Sequence, residues 1–135
     1  MSNTISQPSN STPSVSSGIW AGWVHLLSLA CALMTSWLIG VGGMLPSFLV
    51  WIVQKDKDSV VSQNAAECFN FNLSMLVYAG VGVLFGLLTI GLGFLLVVPL
   101  AFVFCVMWLV CSLVAARRGF LGGVYRYPFS IRFLK

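Results

Sequence analysis

The sequence predicts an all-α integral membrane protein, a four-helix bundle built from two helical hairpins. Three observations lead there. The composition is 59 % hydrophobic and only 7 % charged over 135 residues, far from the balance of a soluble domain. Two apolar tracts, Ile19 to Val53 and Leu73 to Ala116, each exceed the roughly 20 residues that cross a hydrocarbon core as a helix with its backbone hydrogen bonds satisfied internally. All three carboxylates, Asp56, Asp58 and Glu67, fall in the one polar window between those tracts, Lys55 to Phe71.

Residues 1–17 are almost entirely Ser, Thr, Asn, Gln and Pro. Such a segment cannot bury a core and is expected to be a disordered tail. Its lack of charge argues against a cleaved signal peptide, which needs a basic start. Residues 18–135 then form a single transmembrane domain that ends in a basic, aromatic tail.

The first tract, about 35 residues, is too long for one straight span and short for two full ones. Gly40, Gly42, Gly43 and Pro46 form its breaker cluster, which predicts a helix from Trp20 to Ile39, a tight turn, and a short second helix ending near Val53. Tryptophan favours the membrane interfaces. Trp20 and Trp23 would mark one interface, Trp37 the opposite one and Trp51 the first again. The alternative, a single kinked span, leaves a helix badly mismatched to the bilayer.

Asp58 or Ser59 is placed to cap a third helix running to Ile90. At about 45 to 50 Å it would outrun the membrane, so its polar first turns belong to the headgroup layer or the cytoplasm. Gly91-Leu92-Gly93 turns the chain, and a fourth helix returns from Phe94 to Ala116 with a bend at Pro99. No basic residue precedes Lys55. Lys55, Lys57, Arg117 and Arg118 flank the apolar tracts and mark the cytoplasmic edge. Both termini are therefore expected in the cytoplasm, in a multi-pass protein of the cell inner membrane. Seven basic residues gathered at membrane edges do not make a nucleic-acid surface.

The tail from Val124 to Phe133 alternates apolar or aromatic residues with basic and polar ones. That pattern suits an anionic interface or docking back on the bundle, and Pro128 excludes a long helix.

Little in the chain could do chemistry. Asp56 and Asp58 alternate with lysines in a solvated turn, which offers too few oxygen ligands for a metal. Cys31, Cys68, Cys105 and Cys111 show no metal or redox spacing, so no metal and no cofactor is expected. Glu67 shares a helical face with Asn64 and Asn70 and needs partners if buried. His25 lies about a turn inside the first helix. The expectation is a polar cluster of His25, Glu67, Asn70 and Arg126, acting as a clamp between helices or, alternatively, as a substrate or proton-handling site. Gly18 with Gly22, and Gly82 with Gly86, have the small-x-x-x-small spacing of close helix packing, within one chain or across a homodimer. Apart from Thr89 and Ser112 the last two helices have hardly any polar side chain, so one copy does not line a pore.

Taken together, His25-Leu26, Pro46 with Trp51, Lys55-Asp56, Glu67 with Asn70-Phe71, and Tyr125-Arg126-Tyr127-Pro128 resemble a prokaryotic family of small membrane proteins known as a domain of unknown function. That family is itself similar to the Tic-type subunit of the chloroplast import translocon. The chain departs from the family at Asn64, Cys68 and Asn72, where His, Ala and Gln are usual. The resemblance implies a four-helix membrane protein and a link to protein translocation or assembly.

The functional expectation is a non-enzymatic accessory or scaffold subunit whose polar window and tail dock on a larger membrane complex, with the lipid bilayer around it. The alternative is a homo-oligomeric channel or carrier, with Gly82 and Gly86 at the subunit contact and His25 and Glu67 at the entrance. A lipid-acting enzyme using His25 and Glu67 comes third.

Overall fold

The computed structural model describes residues 14–35 and 41–134. Among them are four α-helices and no strand. Helix α1 spans Val15–Met34 and starts where the Ser14 hydroxyl accepts the Ser17 N–H at 3.2 Å. That cap moves the start back from the expected Trp20 into the serine-rich segment. Trp37 and Ile39, the expected far end of this helix, lie outside the described residues, as do residues 1–13 and Lys135. A 3-10 turn, Val41–Gly43, leads into α2, Met44–Gln54. Pro46 sits in the first turn of α2, where its missing N–H has no helical partner to lose. With 11 residues, α2 is about 16 Å long and too short to cross a bilayer.

Helix α3, Ser59–Leu88, is capped by Asp58, whose Oδ1 accepts the N–H groups of Val60 and Val61 at 2.9 and 3.1 Å. It ends two residues before the expected Ile90. Ile90 and Gly91 take positive φ, 55° and 89°, and reverse the chain. Helix α4, Phe94–Phe120, contains Pro99 and runs beyond the expected Ala116. Arg117 and Arg118 lie in its last turn, where positive charge meets the negative end of the helix dipole. Helices α1, α3 and α4 are each long and apolar enough to cross a membrane.

The starts of α1 and α3 and the end of α4 meet at one end of the molecule. There Ser17 lies beside the Asp58 carboxyl, and Gly18 lies against the backbone of Phe120 and Gly122. Helix α1 crosses α4 on small residues: a Cβ on Gly119 would stand 2.7 Å from Ala21 C and Gly22 N. Helix α2 packs on α3 through Phe48 and Phe69, ring centroids 5.3 Å apart. Gly43, just before α2, lies against Ala32, Ser28 and Asn72. The core sits in this half, around Ala21, Val24, Val61, Ala65 and Cys68, and around Phe71, Cys111, Ala115 and Tyr127. Beyond it α3 and α4 continue as a pair, with Gly82 beside Val97 and Gly86 beside the Phe94 ring. Their outward side chains, among them Val81, Leu84, Leu88, Leu95 and Phe102, are exposed.

Two stability tests follow. Gly119→Ala pushes a methyl into backbone that cannot yield and should lower detergent-solubilised stability by about 1–3 kcal/mol. Gly80→Ala, with nothing within 4 Å of the added Cβ, should be neutral or stabilising by up to ~1 kcal/mol. Thermal melts of the two variants check both.

Burial alone would raise the Asp58 carboxyl, but bonds from Ser17 and from the Val61 and Val60 N–H groups favour its charged form and hold it below its ordinary value. Because the folded value is the lower one, the cap's ionic contribution is complete above the ordinary aspartate range and fades as pH falls through the folded value. Asp58→Ala should therefore lose about 1 kcal/mol near neutral pH. Asp58→Asn should keep most of the cap while flattening the acid limb of the stability–pH curve.

Candidate functional site, a polar face of α3 that clamps the C-terminal segment

The polar residues of α3 recur at Asn64, Glu67, Asn70, Ser74 and Tyr78, the three- and four-residue steps that put side chains on one helical face. Residues 123–134, which are not helical, run along that face and are held by it. Asn64 Nδ2 donates to Gly123 O at 3.1 Å. Further along, the Tyr78 hydroxyl donates to Phe129 O at 2.7 Å. The chain reverses at Pro128 and Phe129, the latter at φ 57°, and climbs back. Ser74 Oγ accepts the Ile131 N–H at 2.7 Å while donating to Asn70 O. Asn70 Oδ1 accepts the N–H groups of Phe133 and Leu134 at 3.0 and 2.9 Å, and its Nδ2 donates to Leu134 O at 2.9 Å.

His25 is 1 % exposed and lies between this segment and α3. Asn64 Nδ2 is turned to Val60 O and Gly123 O, so its Oδ1 is the atom that faces His25 Nε2, at 3.0 Å. A carbonyl oxygen only accepts, so Nε2 is the donor. In the neutral ring Nδ1 is then the acceptor and takes the Tyr127 hydroxyl proton across 2.9 Å. Tyr127 also stacks on Phe71, centroids 4.1 Å apart. Both ring nitrogens of His25 are thus engaged inside the protein. Asn72 ties α3 to α4 by accepting the Trp108 indole N–H at 3.1 Å.

Residues 16–134 match the magnetosome magnetite crystal formation protein family. The chain belongs to that family. The match replaces the resemblance to the domain of unknown function and the Tic-type subunit, and with it the link to translocation. Of the residues that carried that resemblance, Glu67, Asn70, Phe71 and Tyr127 serve here to seat the C-terminal segment. Comparison with curated proteins and with solved structures gives no match.

In this member of the magnetosome family, His25, Glu67, Asn70 and Arg126 do not form one cluster. His25 meets Asn64 and Tyr127, Asn70 holds the chain end, and Glu67 Oε1 pairs with Arg132 Nε at 3.3 Å. Arg126 is exposed. The alternation of the tail turns Tyr127 inward, and with Tyr127 inside its neighbour Arg126 faces out. Lys55 lies over the Trp51 ring at 5.8 Å, and Lys57 is exposed in the same turn. Gly82 and Gly86 receive Val97 and Phe94 of α4 in the same chain. Among the described residues no group of three or more His, Cys, Asp or Glu is placed to hold a metal ion.

Sequence reasoning gave no place in the polar cluster to Ser74, Tyr78, Tyr127 or Arg132. The five-residue polar stripe of α3 was the signal for the first two, since a polar stripe continuing into an apolar tract needs partners inside the protein.

Asn70→Ala removes three backbone contacts at once and should free residues 131–134. Their amides should exchange with solvent far faster than in the parent, while those of α4 remain protected, as hydrogen exchange followed by mass spectrometry would show. Tyr127→Phe should cost about 1–3 kcal/mol, because it leaves a buried His25 nitrogen unpaired.

Proposed function

We propose that the chain is a non-enzymatic integral protein of the magnetosome membrane that contributes to magnetite crystal formation as an accessory subunit, through its position and its contacts. Membership of the magnetosome magnetite crystal formation family carries this reading. The geometry supports the non-enzymatic part: a general base needs a free site within reach of a substrate proton, and His25 is buried with both nitrogens engaged.

The proposed placement puts the end that carries Lys55, Lys57, Arg117 and Arg118 in the cytoplasm, following the positive-inside bias. Helices α3 and α4 cross the bilayer, and the turn at Thr89–Gly93 reaches the other side. Helices α1 and α2 enter and leave from the cytoplasmic side as a hairpin, since α2 is too short to span. Both termini are then cytoplasmic. The carboxylates Asp56, Asp58 and Glu67 share that side, and the far turn carries none. Contact with the growing mineral through acidic side chains on the far side is therefore not part of the proposal. The basic end and the outer edge of the C-terminal segment are the surfaces offered to a larger membrane assembly.

Removing the protein from magnetite-forming cells should alter their crystals, and the parent chain should restore them; unchanged crystals would overturn the reading. Single cysteines replacing Lys57 and Leu92 test the placement. Membrane-impermeant reagent should label the first from the cytoplasmic side and the second only from the opposite side.

A further inference from the structure

We propose that the fold is a wedge, wide in the cytoplasmic leaflet and narrow in the other, and that it concentrates where the cytoplasmic leaflet is convex. The inference rests on the membrane placement given above. From the α3–α4 turn, a hydrocarbon core about 30 Å thick takes in about 20 residues of each helix, which reaches Phe69 on α3 and Leu113 on α4. Arg117 and Arg118 then fall just outside the core. Phe48 packs on Phe69, so Trp51, a turn further along α2, comes to the headgroup layer where tryptophan is favoured.

The midplane lies about 15 Å from either face, at Tyr78 and Phe104, whose rings are 5.9 Å apart. On the cytoplasmic side of that plane the leaflet holds parts of all four helices and the clamped C-terminal segment. The described ends of α1 and α2 lie on that side, with Gly43 against Ala32 and Asn72. The C-terminal segment also turns back there, where Phe129 O meets Tyr78. On the other side, among the described residues, only the α3–α4 pair continues, drawn together where Gly82 admits Val97 and Gly86 admits Phe94. Among the described residues, two elements displace lipid in one leaflet and five in the other. The exposed Trp20 and Trp23 near the start of α1 add to the wider side.

A flat bilayer has to compress the cytoplasmic lipids around such a body or stretch the opposite ones. Bending that leaflet outward relieves both, so the partner is a curved lipid surface rather than a particular headgroup. Interfacial insertion into one leaflet is sensitive to curvature for the same reason.

The test uses the full chain, fluorescently labelled and reconstituted into giant vesicles from which narrow membrane tubes are drawn. With the basic end outward, protein density per lipid should rise about two- to threefold on the tube and grow as the tube narrows. With the basic end inward it should fall. Equal density on tube and vesicle, or enrichment in both orientations, would overturn the wedge. Labelling at positions 57 and 92 in the same vesicles separates the two readings: both on one side would refute the placement, whereas opposite sides with flat sorting would refute the wedge alone.

Discussion

An extended backbone offers a row of N–H and C=O groups, and beside a low-dielectric helix pair those groups need partners that water does not supply. Phe129, Ile131, Phe133 and Leu134 find theirs in the side chains of α3. A carboxamide has the donor and acceptor of a peptide unit on one short stem, so Asn70 can take two N–H groups and give to one C=O, much as a neighbouring strand would. Ser74 accepts from the segment with the same hydroxyl that donates to its own helix. Neutral groups suit this role, because a buried charge costs far more to desolvate than an amide. The packing of the half that holds α1 and α2 depends on this clamp.

Seating the segment requires space, and small residues provide it. Helix α1 approaches α4 at Gly18, Ala21, Gly22 and Gly119, close enough to bring His25 and Tyr127 into hydrogen-bond contact. Tyr127 then fills the slot over Phe71, and its hydroxyl fixes the His25 ring. Loss of Asn64, His25 or Tyr127 leaves a buried polar atom unpaired, so these three are cooperative in the sense that double-mutant cycles detect.

The helices were legible because apolar length and glycine punctuation are local signals. Asp58 as a cap, the turn at Gly91 and a short second helix are all written in adjacent residues. The partners of the polar residues were not legible, since they depend on how the tail returns across more than fifty positions. Arg126 was the natural partner for Glu67 by type, yet strand alternation faces it outward once Tyr127 is inside, and Arg132, on the far limb of the turn, reaches the carboxylate. Family membership was hidden for a different reason. Several of the residues that resembled another group of membrane proteins, Glu67, Asn70 and Tyr127 among them, are those that seat the C-terminal segment, and a seating pattern says what is folded, not what is done.

The Glu67–Arg132 pair contributes little to stability as a bare ion pair, with the arginine 46 % exposed; such pairs are worth about 0–1 kcal/mol. Its value lies in register. The bonds from Asn70, Ser74 and Tyr78 are to backbone and are blind to side chains, so a slip of the segment by two residues would keep their pattern. Side-chain contacts tell one register from another: the Tyr127 and Tyr125 rings packed on one limb of the turn, and the Arg132 charge beside Glu67 on the other. Slipping the outer limb by two would set Ser130 or Leu134 against the carboxylate and leave a half-buried charge unpaired, a larger cost than the pair's own contribution. The one acid within α3 thus selects a single arrangement of an otherwise permissive clamp, and Phe129, held at positive φ between the two limbs, is where the chain takes up the geometry this arrangement imposes.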